Sequence, residues 1–353
     1  MRGGWWGREP GGGPRARAAN GAAVDGAVTA AGGAAGPAGA APNGVPGRAR
    51  LVAALGRRWC VETWACRAAG PAPVALLVHG TGASAASWRG VAPRLAERCA
   101  VVAVDLPGHG RTEAPADRRL ALEPMADDLA AVLRAEGIAP AFAVGHSAGV
   151  AVLLAMALRR PGLLGLVVGF GAALVPPPWA YDTALAPLVN RVATTRAFAR
   201  AAAFVARRPG VVDSLLRSTG SALPPESVAA YRAAAGSSAH VRATLAMMAN
   251  WDLRPLAGRL ADVDIPVALA TGDRDEWTPA AALAPLAARM PRGSLTVVPG
   301  AGHVLHEERP AFAAAFALAA AERAGIVAGA TATSGTGAAA PDGAGAPSAA
   351  PSR

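Results

Sequence analysis

The chain has 353 residues, with 34 basic against 24 acidic side chains, a formal net charge of +10, 42 Gly, 30 Pro and three Cys. Every basic residue is Arg, and part of the excess sits at the start, where Arg2, Arg8, Arg15, Arg17, Arg48 and Arg50 face only Glu9 and Asp25. No basic stretch is interleaved with aromatics, so a nucleic-acid partner is excluded, and attraction to an anionic membrane surface is left as a minority reading.

In chain order, residues 1–50 are Gly, Ala, Pro and Arg with little periodicity. They cannot bury enough apolar surface to offset their ordering entropy, so a disordered tail is expected. No apolar run follows Arg2, so no secretory leader is expected. Trp59 to Cys66 reads as a first strand. Val74 to Val78 is a short apolar strand ending at His79-Gly80, Val91 to Arg98 is helical, and Ala100 to Val104 is a strand ending at Asp105. Met125, Leu129, Val132 and Leu133 form one stripe of a helix. Ala141 to Val144 is another strand, and Ser147 to Arg160 is a helix apolar nearly all round, hence buried. Leu163 to Phe170, Ile265 to Ala270 and Leu295 to Val298 read as strands, and a helix over Pro310 to Arg323 follows. Residues 326–353 return to tail composition. Residues 162–180 carry no charge, but their glycines and Pro176-Pro177-Pro178 make a poor helix of marginal length, so no transmembrane segment is expected.

Apolar strands alternating with helices predict an α/β fold with a mostly parallel central sheet and helices on both faces, built from residues 51–174 and 260–325. Residues 175–259 break the alternation and are helical in flavour. They are expected to form a cap inserted over the sheet's carboxyl edge, where open sheets place their sites.

Gly145-His146-Ser147-Ala148-Gly149 is a G-x-S-x-G element between an apolar strand and a buried helix. Its glycines permit a sharp strand-to-helix turn that exposes the Ser147 hydroxyl, and the helix start favours a developing oxyanion. The acid and base must follow in the order Ser, Asp or Glu, His. Asp275, in Gly272-Asp273-Arg274-Asp275, is chosen over Asp273, read as structural, and over Glu276. The other common acid position, Phe170 to Val175, holds no carboxylate. His303 follows the last strand and can reach back to Ser147; His306 is its rival, read as a helix-start or surface histidine. After His79-Gly80, the N–H of Thr81 joins that of Ala148 as a two-donor oxyanion hole. Asp105-Leu106-Pro107-Gly108-His109-Gly110 is read as a brace for the loops around Ser147, and His109 and His146 as packing residues. The six histidines show no HxxxH or HExxH spacing, so neither metal nor cofactor is expected. Three cysteines, Cys60, Cys66 and Cys99, give no disulfide framework, which fits a reducing cytoplasm.

HGTG at 79–82, DLPGHG at 105–110, GHSAG at 145–149, GDRDEWTP at 272–279 and GAGH at 300–303 resemble the α/β-hydrolase superfamily in order and spacing, over about residues 55–322. The resemblance implies the α/β-hydrolase fold and hydrolysis of an ester, thioester or amide through an acyl-serine. Dehalogenase and epoxide-hydrolase relatives place Asp where this chain has Ser147. A narrower resemblance joins Gly80-Thr81-Gly82-Ala83, Ser87-Trp88-Arg89, Ser218-Thr219-Gly220-Ser221, the run Ala246 to Leu253 and the run His303 to Pro310. These look like the BchO proteins, the magnesium-chelatase accessory proteins of bacteriochlorophyll clusters. That implies a place in magnesium-tetrapyrrole synthesis, a small-molecule substrate such as a tetrapyrrole or its ester, and magnesium chelatase as a partner. It also leaves open an accessory role in which the cap holds a tetrapyrrole without essential hydrolysis.

Overall fold

Short apolar runs rich in Val and Leu become the strands of one sheet. The computed structural model describes residues 47–115, 120–174, 192 and 194–328. The expected tails at 1–46 and 329–353, and residues 175–191 and 193 of the expected cap, lie outside the described residues. A hairpin of β1 (Arg48–Ala54) and β2 (Arg57–Trp64) leads into β3 (Val74–Val78), β4 (Ala100–Val104), β5 (Phe142–His146), β6 (Val167–Phe170), β7 (Val267–Gly272) and β8 (Gly293–Val298). Among the described residues these form an eight-stranded sheet in the order β1-β2-β4-β3-β5-β6-β7-β8. β1, β2 and β4 pair antiparallel, and the remaining neighbours are parallel.

Val78 pairs with Val104 and with Gly145, while His146 pairs with Phe170. The carboxyl ends of β3 to β6 therefore finish level, which brings the loops after residues 78, 104 and 146 to one edge of the sheet. Alternate residues of the parallel strands feed two separate cores, as burial on both faces requires. On one face Leu76, Val78, Val104 and Ala143 pack with the helices α2 (Leu122–Ala135) and α3 (Ala148–Arg159), α1 (Ala92–Leu95) being the short helix before β4. On the other, Leu77, Ala103, Val144 and Val168 meet Trp88, Leu95 and the alanines of the helix over Pro310–Arg323.

Between β6 and β7 the described residues form α4 (Arg196–Ala206), α5 (Val211–Arg217), α6 (Pro225–Ala235), α7 (Ser238–Asn250) and α8 (Arg254–Gly258). Then come α9 (Ala280–Ala287), α10 (Leu305–Glu308) and α11 (Pro310–Arg323). None of the helices among the described residues is long and apolar enough to cross a membrane.

Three sequence expectations need correction. The strand read at Trp59 to Cys66 is the second of the sheet; β1 precedes it and takes Arg48, Ala49 and Arg50 out of the expected tail. β1 is an edge strand with one buried residue, Val52, so it carries no apolar alternation. The far boundary also moves, because Ile326 and Val327 pack against the second core. Lastly, His306 lies at the start of α10, as one of its two readings had it, but is fully buried rather than at the surface.

Candidate active site

β5 ends at His146, and Ser147 stands at φ 49°, ψ −117° before α3 begins at Ala148. A non-glycine residue held there stores strain of about 1–3 kcal/mol, which surrounding contacts must impose. The Ser147 N–H donates to the carbonyl of Phe170 at 2.9 Å, and its own carbonyl accepts from Val150 and Ala173, each at 3.1 Å. The turn is tight enough to require both motif glycines. A Cβ on Gly145 would lie 2.7 Å from the Val150 nitrogen, and one on Gly149 would lie 2.2 Å from the Val78 carbonyl oxygen. Gly149→Ala is therefore expected to cost ~3 kcal/mol in urea unfolding, because backbone cannot yield as a side chain can. Gly258→Ala, with no atom within 4 Å of the added carbon, is the matched control and should be nearly neutral.

Ser147, His303 and Asp275 meet in one hydrogen-bonded chain. His303 Nε2 lies 3.1 Å from Ser147 Oγ, and its Nδ1 lies 2.9 Å from Asp275 Oδ2. An ionised carboxylate only accepts, so Nδ1 carries the proton and Nε2 turns a lone pair to the serine. Asp275 also accepts from the backbone of Trp277 at 2.9 Å and of Thr278 at 2.8 Å, and from the hydroxyls of Thr278 at 2.7 Å and Thr271 at 3.1 Å. Burial pushes its carboxyl up, but the bonds from His303 and Thr278 outweigh that and hold it below its ordinary value. Ser147 is partly exposed, while Asp275 and His303 are buried. The rivals fall elsewhere: Glu276 is exposed, and Asp273 accepts from the Gly300 N–H at 2.7 Å.

Gly80 brings the loop after β3 against this turn, since a Cβ there would lie 3.0 Å from Ser147 Cβ. Thr81 is half-buried, with its hydroxyl 3.8 Å from Met247 Sδ of α7. Ala148 opens α3, so its N–H has no intrahelical acceptor. Asp105 ties the loop after β4 to its surroundings, accepting from Ala85 at 2.7 Å and Arg111 at 2.8 Å.

The histidines gather in two groups. His146 and His306 pack as tilted rings beside His303, at 4.9 Å from the His303 ring for His146 and 4.4 Å between His146 and His306, and the His146 Nε2–H donates to the His303 carbonyl at 3.1 Å. His79, His109 and His240 form the other group, with ring centroids 5.4 and 5.0 Å apart. A cleft of about 690 Å³ beside His240, between the β1–β2 turn and the 108–115 loop, includes none of Ser147, Asp275 or His303 in its lining.

The segment between α5 and α6 reaches into the same place. The His303 N–H donates to the Thr219 carbonyl at 2.9 Å, and the Val304 N–H to Ser221 Oγ at 2.8 Å. A Cβ on Gly220 would lie 2.0 Å from the Arg274 carbonyl oxygen, and one on Gly302 would lie 2.3 Å from the Ser221 nitrogen. Residues 219–221 thus run between the loop of Asp275 and the loop of His303. The sequence singled out the run Ser218 to Ser221 by resemblance without a task at the site, and Thr271 and Thr278 were missed as supports of the acid.

The family model of the alpha/beta hydrolase fold matches residues 73–310. A magnesium-chelatase 30 kDa subunit of Rhodobacter capsulatus is 38% identical over 264 residues, covering 70% of this chain and 85% of that protein. A 2-(acetamidomethylene)succinate hydrolase of Mesorhizobium japonicum is 29% identical over 249 residues, covering 69% of this chain and 86% of that one. Among solved structures, an alpha/beta hydrolase fold protein from Burkholderia ambifaria superposes with a TM-score of 0.63 at 26% identity, covering 76% of this chain and 97% of its own. Sheet order, loop placement and these matches agree, and the chain belongs to the α/β-hydrolase fold family.

Proposed function

We propose that this protein is a serine hydrolase acting on an ester, thioester or amide through an acyl-Ser147 intermediate. The observation that carries the reading is the chain from Ser147 Oγ through His303 to Asp275, at 3.1 and 2.9 Å, on a serine still open to solvent. His303 Nε2 takes the hydroxyl proton as Ser147 Oγ attacks the carbonyl carbon. The N–H groups of Thr81 and Ala148 receive the oxyanion. The proton passes from His303 to the leaving group as its bond to the acyl carbon breaks. Water, deprotonated by the same nitrogen, then releases the acid and restores Ser147. Asp275 stays ionised and stabilises the imidazolium.

The similarity to a magnesium-chelatase subunit supports magnesium chelatase as a partner, and a tetrapyrrole, or its ester, is the substrate we propose on that basis. The helices from α4 to α8 would serve as the cap over the site. That same similarity favours a second reading, in which the cap holds a tetrapyrrole and hydrolysis is not essential. A panel of aryl esters, thioesters, anilides and magnesium-porphyrin esters separates the two. Turnover that falls about 10⁴-fold in Asp275→Asn supports the hydrolase; tight magnesium-porphyrin binding with no turnover of any member supports the second.

On the hydrolase reading, Thr219 and Ser221 are positioning residues that hold the backbone of His303 and Val304. Ser221→Ala is expected to lower kcat about tenfold with KM unchanged, at a stability cost of about 1–2 kcal/mol. Ser221→Thr, which keeps the hydroxyl, should restore most of kcat. Equal loss in both variants would show that packing alone is at stake.

A further inference from the structure

The first two described helices of the insertion leave large apolar side chains exposed. α4 faces the fold with Ala199 and Ala203, while Phe198, Phe204 and Val205 stand 43%, 63% and 44% exposed. On α5, Val212 and Leu216 are buried, and Val211 and Leu215, one turn apart, are exposed. Six of the ten large apolar side chains exposed among the described residues lie within residues 192–215. That is a concentration, not the scatter normal to a surface. At the helical repeat, Phe204, Ala197, Ala201, Val205 and Phe198 share about 120° of arc, bordered on one edge by Arg196 and Arg200 and on the other by Ala202.

The charge on this stretch has one sign. Residues 194–212 contain Arg196, Arg200, Arg207 and Arg208 and no Asp or Glu. All four arginines are exposed, and the Arg208 guanidinium lies 5.9 Å over the Phe204 ring. The first carboxylate, Asp213, is engaged by Arg232. An exposed apolar arc with arginines along one edge and no carboxylate before Asp213 matches the acyl boundary and phosphates of an anionic bilayer.

Arg207 is tied to the Gly236 carbonyl at 2.8 Å. We propose that α4 and α5 form a docking face for an anionic membrane surface, with Phe198, Phe204, Val205 and Leu215 entering the interface and Arg196, Arg200 and Arg208 meeting lipid phosphates. This does not depend on the hydrolase reading. The test is sedimentation of the full chain with vesicles of phosphatidylcholine, with and without 30% phosphatidylglycerol. Binding is expected with the anionic lipid, weak with phosphatidylcholine alone, and reduced in high salt. The double variant Phe198→Ser, Phe204→Ser keeps every charge, including those of the N-terminal arginines, and should keep its melting temperature because both rings are exposed. It is expected to lose binding by roughly tenfold or more. Binding equal in parent and variant would place the contact elsewhere and overturn the proposal. So would no vesicle binding by the parent, including the case in which parent is a dimer and variant a monomer, which would make the face an interface between copies.

Discussion

Ser147→Ala is expected to lower kcat by a factor on the order of 10⁵ to 10⁶ with KM little changed. On the proposed mechanism the hydroxyl makes the bond to the acyl carbon, so its loss removes both attack and the acyl intermediate. Substrate binding should survive, because the N–H donors of Thr81 and Ala148 belong to the backbone. Folding should survive as well: the turn is held by Ser147 N–H to Phe170 and by the close approaches of Gly145 and Gly149, none of which uses the Ser147 side chain. Urea unfolding should therefore stay within ~0.5 kcal/mol of the parent. A variant that hydrolyses at the parental rate would remove Ser147 from the mechanism.

The second large effect is acid unfolding. His79, His109, His146, His240 and His306 are all buried, and burial lowers the pKa of each, to about 4 for His79 and about 3 for His306. Unfolding returns them to about 6.5, so the unfolded chain binds protons that the folded one refuses. Stability is whole above that value and is lost as pH falls from it toward the folded values, at about 1.4 kcal/mol per group per unit. Five groups acting in the same direction make this loss a large share of a typical 5–15 kcal/mol. Glu62 and Glu307, raised by burial, act in the opposite sense but are fewer. Circular dichroism against pH should show a cooperative loss within that window, and a fold intact at pH 3.5 would contradict the account. Both ring nitrogens of His306 are buried without a hydrogen-bond partner, between Trp88 and His146. His306→Phe should therefore shift the transition to lower pH.

Most of the sheet was legible because parallel strands buried on both faces read as bare apolar runs. Val74 to Val78, Ala100 to Val104 and the helix Pro310 to Arg323 have the expected bounds. β1 was not legible. Its Leu55-Gly56 turn has both residues at positive φ, yet Leu gives none of the signal that Asn or Asp would give there. The insertion misleads in another way, since α4 presents alanine inward and phenylalanine outward, the reverse of what amphipathicity implies. The positions of Ser147, Asp275 and His303 could be ordered from motif and strand end alone. Ser221 could not, because its bond to Val304 spans 83 residues with no local pattern. His306 likewise depends on packing against Trp88, which chain position does not reveal.

The central claim is that His303 activates Ser147, and a fluorophosphonate probe on the folded full chain tests it most directly. Peptide mass spectrometry should find the adduct on Ser147, absent in His303→Ala and retained in His306→Phe. An adduct on another serine, or none on a well-folded sample, would contradict the account and move the weight to tetrapyrrole binding without hydrolysis.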